Sequence, residues 1–300
     1  MHTIDLNGTW AVRQGEFAWI GEEGLGEVLG SEEDWLEAIV PGEIHLDLMR
    51  ARLMPEPTVG TNMRDCRWPE TRSWWFRREL ELDAGFLDCE RQLLTFDGLD
   101  LNAQIFVNGS LLGECANAFV PQSFDVRGQV RPGTNELVVR LTAGSELARD
   151  ATPAGAGPEE YAPNPAVDGT IPNPPREDDL TGHRRWFGYK WLRKPQFSYG
   201  WDWVDPLPNI GIWRGVRLEG RSHASLQSLR LDTRRGDGTV TLEMEAVVEN
   251  LHSWSERACV LSLEIVPPDG SATIRKRYEL SALPGRSPVR DTIAVPNPQL

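Results

Sequence analysis

The sequence is poor in cysteine, short of positive charge and free of long apolar runs, and each shortage removes a class of protein. Its four cysteines, Cys66, Cys89, Cys115 and Cys259, are scattered and form no CxxC pair. Neither a disulfide scaffold nor a zinc site is indicated, and a reducing cytoplasm is the simplest compartment. Lys plus Arg total 31 against 45 Asp plus Glu, a net charge of −14, which leaves no extended basic footprint for nucleic acid. No stretch approaches the ~18 apolar residues of a membrane helix, and Met1 to Asn7 has neither a basic nor an apolar leader region. His2, His45, His183, His223 and His252 stand alone, without metal-ligand spacing. There is no GxSxG elbow and no phosphate loop, and Gly21, Gly24 and Gly26 do not make a dinucleotide fingerprint. Neither a metal nor a cofactor is therefore expected.

Tryptophan is present in excess. There are 12 Trp in 300 residues and only 4 Tyr. Indole faces stack well on sugar rings but also fill cores, so the count raises a carbohydrate reading without deciding it. The length suits about two domains of roughly 150 residues, or one large β domain plus a smaller piece.

Helices are expected only at Ser31 to Leu36 and at Glu43 to Leu53. The rest reads as short strands. Trp74 to Leu82 passes from an apolar run into alternation, and Arg91 to Phe96, Asn102 to Val107, Ser110 to Leu112, Ser123 to Val126 and Glu136 to Leu141 follow. Asn108-Gly109 between two of them predicts a type I′ hairpin, and Arg131 to Asn135 predicts a turn. Many short strands with too few helices for crossovers imply an all-β antiparallel sandwich or jelly roll.

Ala143 to Gly182 interrupts the pattern, rich in Pro, Gly and Ala and in acidic residues. Such a stretch is either a functional loop packed over a site or a mobile insertion. From about Ser222 the texture changes again: Leu226 to Leu231, Thr239 to Val248, Ala258 to Ile265, Thr273 to Leu280 and Val289 to Val295 read as five strands. An immunoglobulin-like sandwich takes about seven strands in about 100 residues, so this second domain reads as incomplete at Leu300. The expected division is 1–220 and 221–300.

Between Arg184 and Trp203, basic residues interleave with aromatics. Stacking plus phosphate attraction would suit single-stranded nucleic acid, but the net charge opposes that. The bland alternative is that the aromatics close a sandwich core while the arginines pair with the acidic stretch before them. Within this run Trp201-Asp202-Trp203 has the pieces of a sugar subsite: two indole walls and a carboxylate able to accept from adjacent hydroxyls. A turn Asp between two core indoles is the competing reading. Hydrolysis of a glycoside needs two carboxyl groups on a rigid frame. Runs such as Glu22-Glu23, Glu32-Glu33-Asp34 and Asp178-Asp179 read as solvated surface, so no catalytic residues are assigned.

Taken in order, Leu6 to Trp10, Val40 to Leu48, Met54 to Asn62, Trp74 to Arg78, Phe96 to Asp100, Val107 to Gly109 and Phe124 to Val126 resemble the N-terminal part of family 2 glycoside hydrolases, and within it the β-mannosidase branch. Arg193 to Trp203 and Gly211-Ile212-Trp213-Arg214 are similar to the branch's signature and to the exit from its first domain. The pattern departs at Val204-Asp205-Pro206, where the branch has Gly-Pro, and at Asn117-Ala118-Phe119, where it often has Asn-Met-Phe. The resemblance implies a galactose-binding-like jelly roll and a truncated immunoglobulin-like sandwich from a retaining exo-glycosidase. Its two catalytic Glu would sit on a C-terminal barrel absent from these residues, so the chain alone is expected to be inactive. It also implies that Trp201 and Asp202, with Trp203 beside them, contact a terminal β-mannoside. A carbohydrate is the expected partner, with self-association left open and no nucleic acid or membrane. The alternatives are a stand-alone carbohydrate-binding module, or the same family acting on a galactoside, glucuronide or glucosaminide.

Overall fold

A computed structural model describes residues 2–17, 21–30, 33–150, 192–200, 206–236, 239–266 and 273–295. The chain divides into two units: Thr3–Leu87 with Leu93–Glu219, and Met1–His2 with Asp88–Gln92 and Gly220–Leu300.

The first unit carries strands β1 (His2–Asp5), β2 (Gly8–Gly15), β3 (Leu36–Val40), β4 (Ser73–Leu82), β5 (Arg91–Phe96), β6 (Asn102–Val107), β7 (Ser110–Ala116), β8 (Gln122–Asp125), β9 (Gly133–Thr142) and β10 (Val216–Arg221), the last running into the second unit. They form a six-stranded sheet, β3-β2-β4-β9-β6-β7, and a four-stranded one, β1-β10-β5-β8. Both sheets contribute to one core, Val12, Phe76 and Ile105 from the first and Leu94, Phe96 and Leu218 from the second. This is a β-sandwich built by period-2 burial.

The apolar start of β4 has a specific cause. Trp74 and Phe76 enter the sandwich core, whereas Trp75 points to the opposite face and is equally buried there, under Leu25 and beside Phe106 and Val138. Leu25 belongs to a helix, α1 (Gly21–Gly30), which roofs that face. The helix expected at Ser31 to Leu36 is not found over its described part, residues 33–36. Asp34 takes a left-handed φ of 66°, which a right-handed helix excludes, and Leu36 opens β3 opposite Val12. The second expected helix forms as α2 (Ile44–Arg50), with the Glu43 carboxylate accepting from the backbone N–H of His45 and Leu46.

The hairpin between β6 and β7 turns at Asn108 (φ 50°) and Gly109 (φ 85°), both positive as a type I′ turn demands. The turn expected at Arg131 to Asn135 is shorter, because Gly133, Thr134 and Asn135 already pair with Leu82, Glu81 and Leu80.

The second unit contains β11 (Ala224–Gly236), β12 (Thr239–Asn250), β13 (Arg257–Ile265), β14 (Ile274–Ala282) and β15 (Gly285–Val295). The sheets are β11-β12-β15 and β13-β14. Met244, Ala246 and Val248 of β12 with Val289 and Ile293 of β15 make a thin core, against which Leu261, Leu263 and Tyr278 pack half-buried. On the other face of β12, Arg234 reaches Glu243 at 3.0 Å and Arg290 reaches Glu245 at 3.2 Å. Cross-strand charge ladders of this kind keep a sheet face in water.

Candidate functional site

Trp201, Asp202 and Trp203 lie outside the described residues, as do Trp186, Phe187, Tyr189, Trp191 and most of Ala143 to Gly182. The chain on either side of Trp201 to Asp205 is described and is heavily anchored. On the upstream side Leu192 and Tyr199 are buried with Leu101 and Ala118, while Phe197 is 68% exposed. Core filling therefore holds for Tyr199 but not for Phe197. The Arg193 carbonyl accepts from the Ala118 N–H at 2.8 Å, which ties this strand of chain to the Asn117-Ala118-Phe119 loop. Pro195 then opens a single 3-10 turn, Gln196–Tyr199.

On the downstream side the Leu207 N–H donates back to the Ser198 carbonyl at 3.1 Å. Ile210 and Ile212 are fully buried. Between them Gly211 exchanges two backbone hydrogen bonds with Asp100, at 3.0 and 2.9 Å, and the N–H groups of Gly42 and Ile44 donate to Ile212 and Ile210. A Cβ at position 211 would stand 2.5 Å from the Gly42 carbonyl oxygen, so glycine alone fits this contact.

Behind these two stretches lies a buried ionic cluster. Lys194 has no exposed side-chain surface, and its ammonium donates to Asp100 Oδ1 at 2.5 Å and to the Asn209 carbonyl. Glu70, 2% exposed, accepts from Arg67 Nε at 2.9 Å. His45 Nδ1 meets Glu43 Oε2 at 2.6 Å, and its Nε2 is buried without a partner. Burial pushes the Glu70 carboxyl up, against the pull of Arg67. Burial likewise raises Asp100 and lowers Lys194, and the attraction between the two opposes both shifts.

Each of these carboxylates is engaged by a cationic or imidazole neighbour, which suits a scaffold rather than proton transfer. Among the described residues no group of three His, Cys, Asp or Glu could hold a metal ion, and no helix is long and apolar enough to cross a membrane. Sequence reasoning did not find Lys194, Asp100, Glu70 or His45 as a set, because their partners stand up to 94 residues apart. The only local signal was a lysine and a proline set among aromatics.

The family described as the glycosyl hydrolase 2 galactose-binding domain-like domain matches residues 22–214. The β-mannosidase of Rattus norvegicus is 30% identical over 194 residues, covering 65% of this chain and 20% of the relative, and that of Mus musculus is 29% identical over 227 residues, covering 76% and 22%. The chain thus spans about a fifth of the length of these curated relatives. Among solved structures, a β-D-mannosidase from Dictyoglomus thermophilum superposes with a TM-score of 0.75 at 25% identity, covering 100% of this chain and 32% of that one. A β-glucuronidase from Bacteroides uniformis superposes at 0.59 with 18% identity, covering 100% and 28%, a likeness of fold alone. By the match of its sandwich, the chain belongs to glycoside hydrolase family 2.

Proposed function

We propose that the chain is the N-terminal portion of a retaining, exo-acting β-mannosidase-like hydrolase, which releases terminal β-D-mannose from the non-reducing end. Residues 1–220 are the sugar-binding jelly roll, and residues 221–300 belong to an immunoglobulin-like domain. The acid/base and nucleophile carboxylates come from a barrel further along the polypeptide. The free thiols of Cys66, Cys89, Cys115 and Cys259 fit a cytoplasmic enzyme. The observation that carries the reading is the agreement with the Dictyoglomus thermophilum β-D-mannosidase over the whole chain. The rodent relatives favour the same sugar.

In this reading the indoles of Trp201 and Trp203 wall the terminal ring, and the Asp202 carboxylate accepts from its hydroxyls. An exo-enzyme gains from such contacts, because binding energy far from the scissile bond helps reach the transition state. Two charge-assisted bonds at about 1.5–3 kcal/mol each set the scale. In the full-length enzyme, Asp202→Ala is expected to lower kcat/KM on a nitrophenyl β-mannoside at least about 100-fold with an unchanged Tm. Activity within a few fold of the parent would remove the subsite role. A panel of nitrophenyl mannoside, galactoside, glucuronide and glucosaminide tests the sugar, with the mannoside expected to be preferred. Hydrolysis of none of them would favour a binding module.

A further inference from the structure

Lys194 is among the largest fully buried side chains of the protein, and withdrawing an ammonium from water is costly. Its contacts form a closed circuit. The ammonium binds the Asp100 carboxylate and the Asn209 carbonyl, and the Asp100 backbone is doubly bonded to Gly211. The chain that leaves at Lys194 and returns at Asn209 is therefore held at both ends on Asp100, once through a side chain and once through the backbone. The Ser198 to Leu207 hydrogen bond narrows it further. Asp100 itself lies in the short connection between β5 and β6, two residues before β6 begins, so the clamp is mounted close to a strand of the sandwich.

A buried ion pair is poor evidence of stability, since apolar residues of similar volume often serve as well. Here the pair joins two stretches that the backbone could otherwise let separate. We propose that Lys194 is a positioning residue for glycoside hydrolysis: by gripping Asn209 and Asp100 it fixes the ends of the chain that carries Asp202. This rests on the subsite role given to Asp202 above.

The test uses the full-length enzyme and the paired change Lys194→Met with Asp100→Leu, which removes both charges at similar volume. With Tm held near the parent's, kcat/KM on a nitrophenyl β-mannoside is expected to fall at least about tenfold, the sensitivity of a reaction to misplaced contacts. The second readout is coupling. Added to Asp202→Ala, the pair should cause almost no further loss, because what the clamp positions is already gone. A folded pair with kcat/KM within twofold of the parent, or a loss that multiplies fully with that of Asp202→Ala, overturns the proposal. If the Met/Leu pair does not fold, Lys194→Gln with Asp100→Asn, which keeps a donor facing an acceptor, takes its place under the same two criteria. An inactive clamp variant beside an active Asp202→Ala would instead sink the subsite reading.

Discussion

Asp47 shows how far one residue's behaviour departs from its place in the alphabet. It is acidic and near a helix start, yet it has no exposed surface. Oδ1 accepts from the Ile39 N–H and from Arg50, and Oδ2 is buried without a partner. Burial raises its carboxyl to about 6, against the pull of Ile39 and Arg50. An unfolded Asp titrates near 3.9. The group therefore contributes stability that is full below about pH 4 and is lost as the pH rises through about 6. Relative to Asp47→Asn, which can still accept from Ile39, the parent should be more stable at pH 4 than at pH 7. Melting temperatures of both proteins across that range check this, and a constant offset would refute the assignment. At this scale the sequence was legible where neighbours in the chain decide the outcome, as at Asn108-Gly109 or at Glu43 capping α2. It was illegible where the partner is remote. Nothing near Lys194 announces Asp100, and nothing near Glu70 announces a buried environment.

At the scale of elements, the strands could be read with ends off by a few residues, because period-2 burial is written directly into side-chain order. The helix α1 could not. Gly21, Gly24, Gly26 and Gly30 lower its propensity, and what holds it is the burial of Leu25 over Trp75 and Phe106. The weakness is correctable. Gly26 is exposed, its φ is not positive, and a Cβ there would meet nothing within 4 Å. Gly26→Ala should raise stability by about 0.5–1 kcal/mol, or about 2 °C in Tm. Gly211→Ala should do the reverse, by about 2 kcal/mol or more, since its Cβ would press on the backbone of Gly42 and Glu43. Denaturant titration of the two variants separates propensity from close approach. Equal effects would contradict both explanations. The same contrast explains why Trp74-Trp75-Phe76 looked like a continuous apolar run: both faces of β4 are covered there, one by the opposite sheet and one by a helix that the local sequence does not favour.

For the whole molecule, the two units differ in how well they are closed. The sandwich buries whole indoles, whereas the second unit leaves much of β11 uncovered. Leu229 and Leu231 face the same side as Ala246 and Met244 yet remain 45% and 41% exposed, and β11 is an edge strand. An edge strand with apolar residues in the open invites pairing with another chain. The 300-residue chain is expected to self-associate at micromolar concentration, and Leu229→Lys with Leu231→Lys to reduce it. Light scattering decides, with a monodisperse monomeric parent as the contrary result. The order of the smaller sheet of the sandwich has a further consequence. Its first strand, β1, lies beside its last, β10, and the Leu6 N–H donates to Val216. During synthesis β1 emerges without its neighbour, and some 200 residues must follow before that neighbour exists, about 10–40 s at about 5–20 residues per second. Until then the nascent sandwich has an open seam, and a ribosome that stalls inside this stretch holds a half-made sheet.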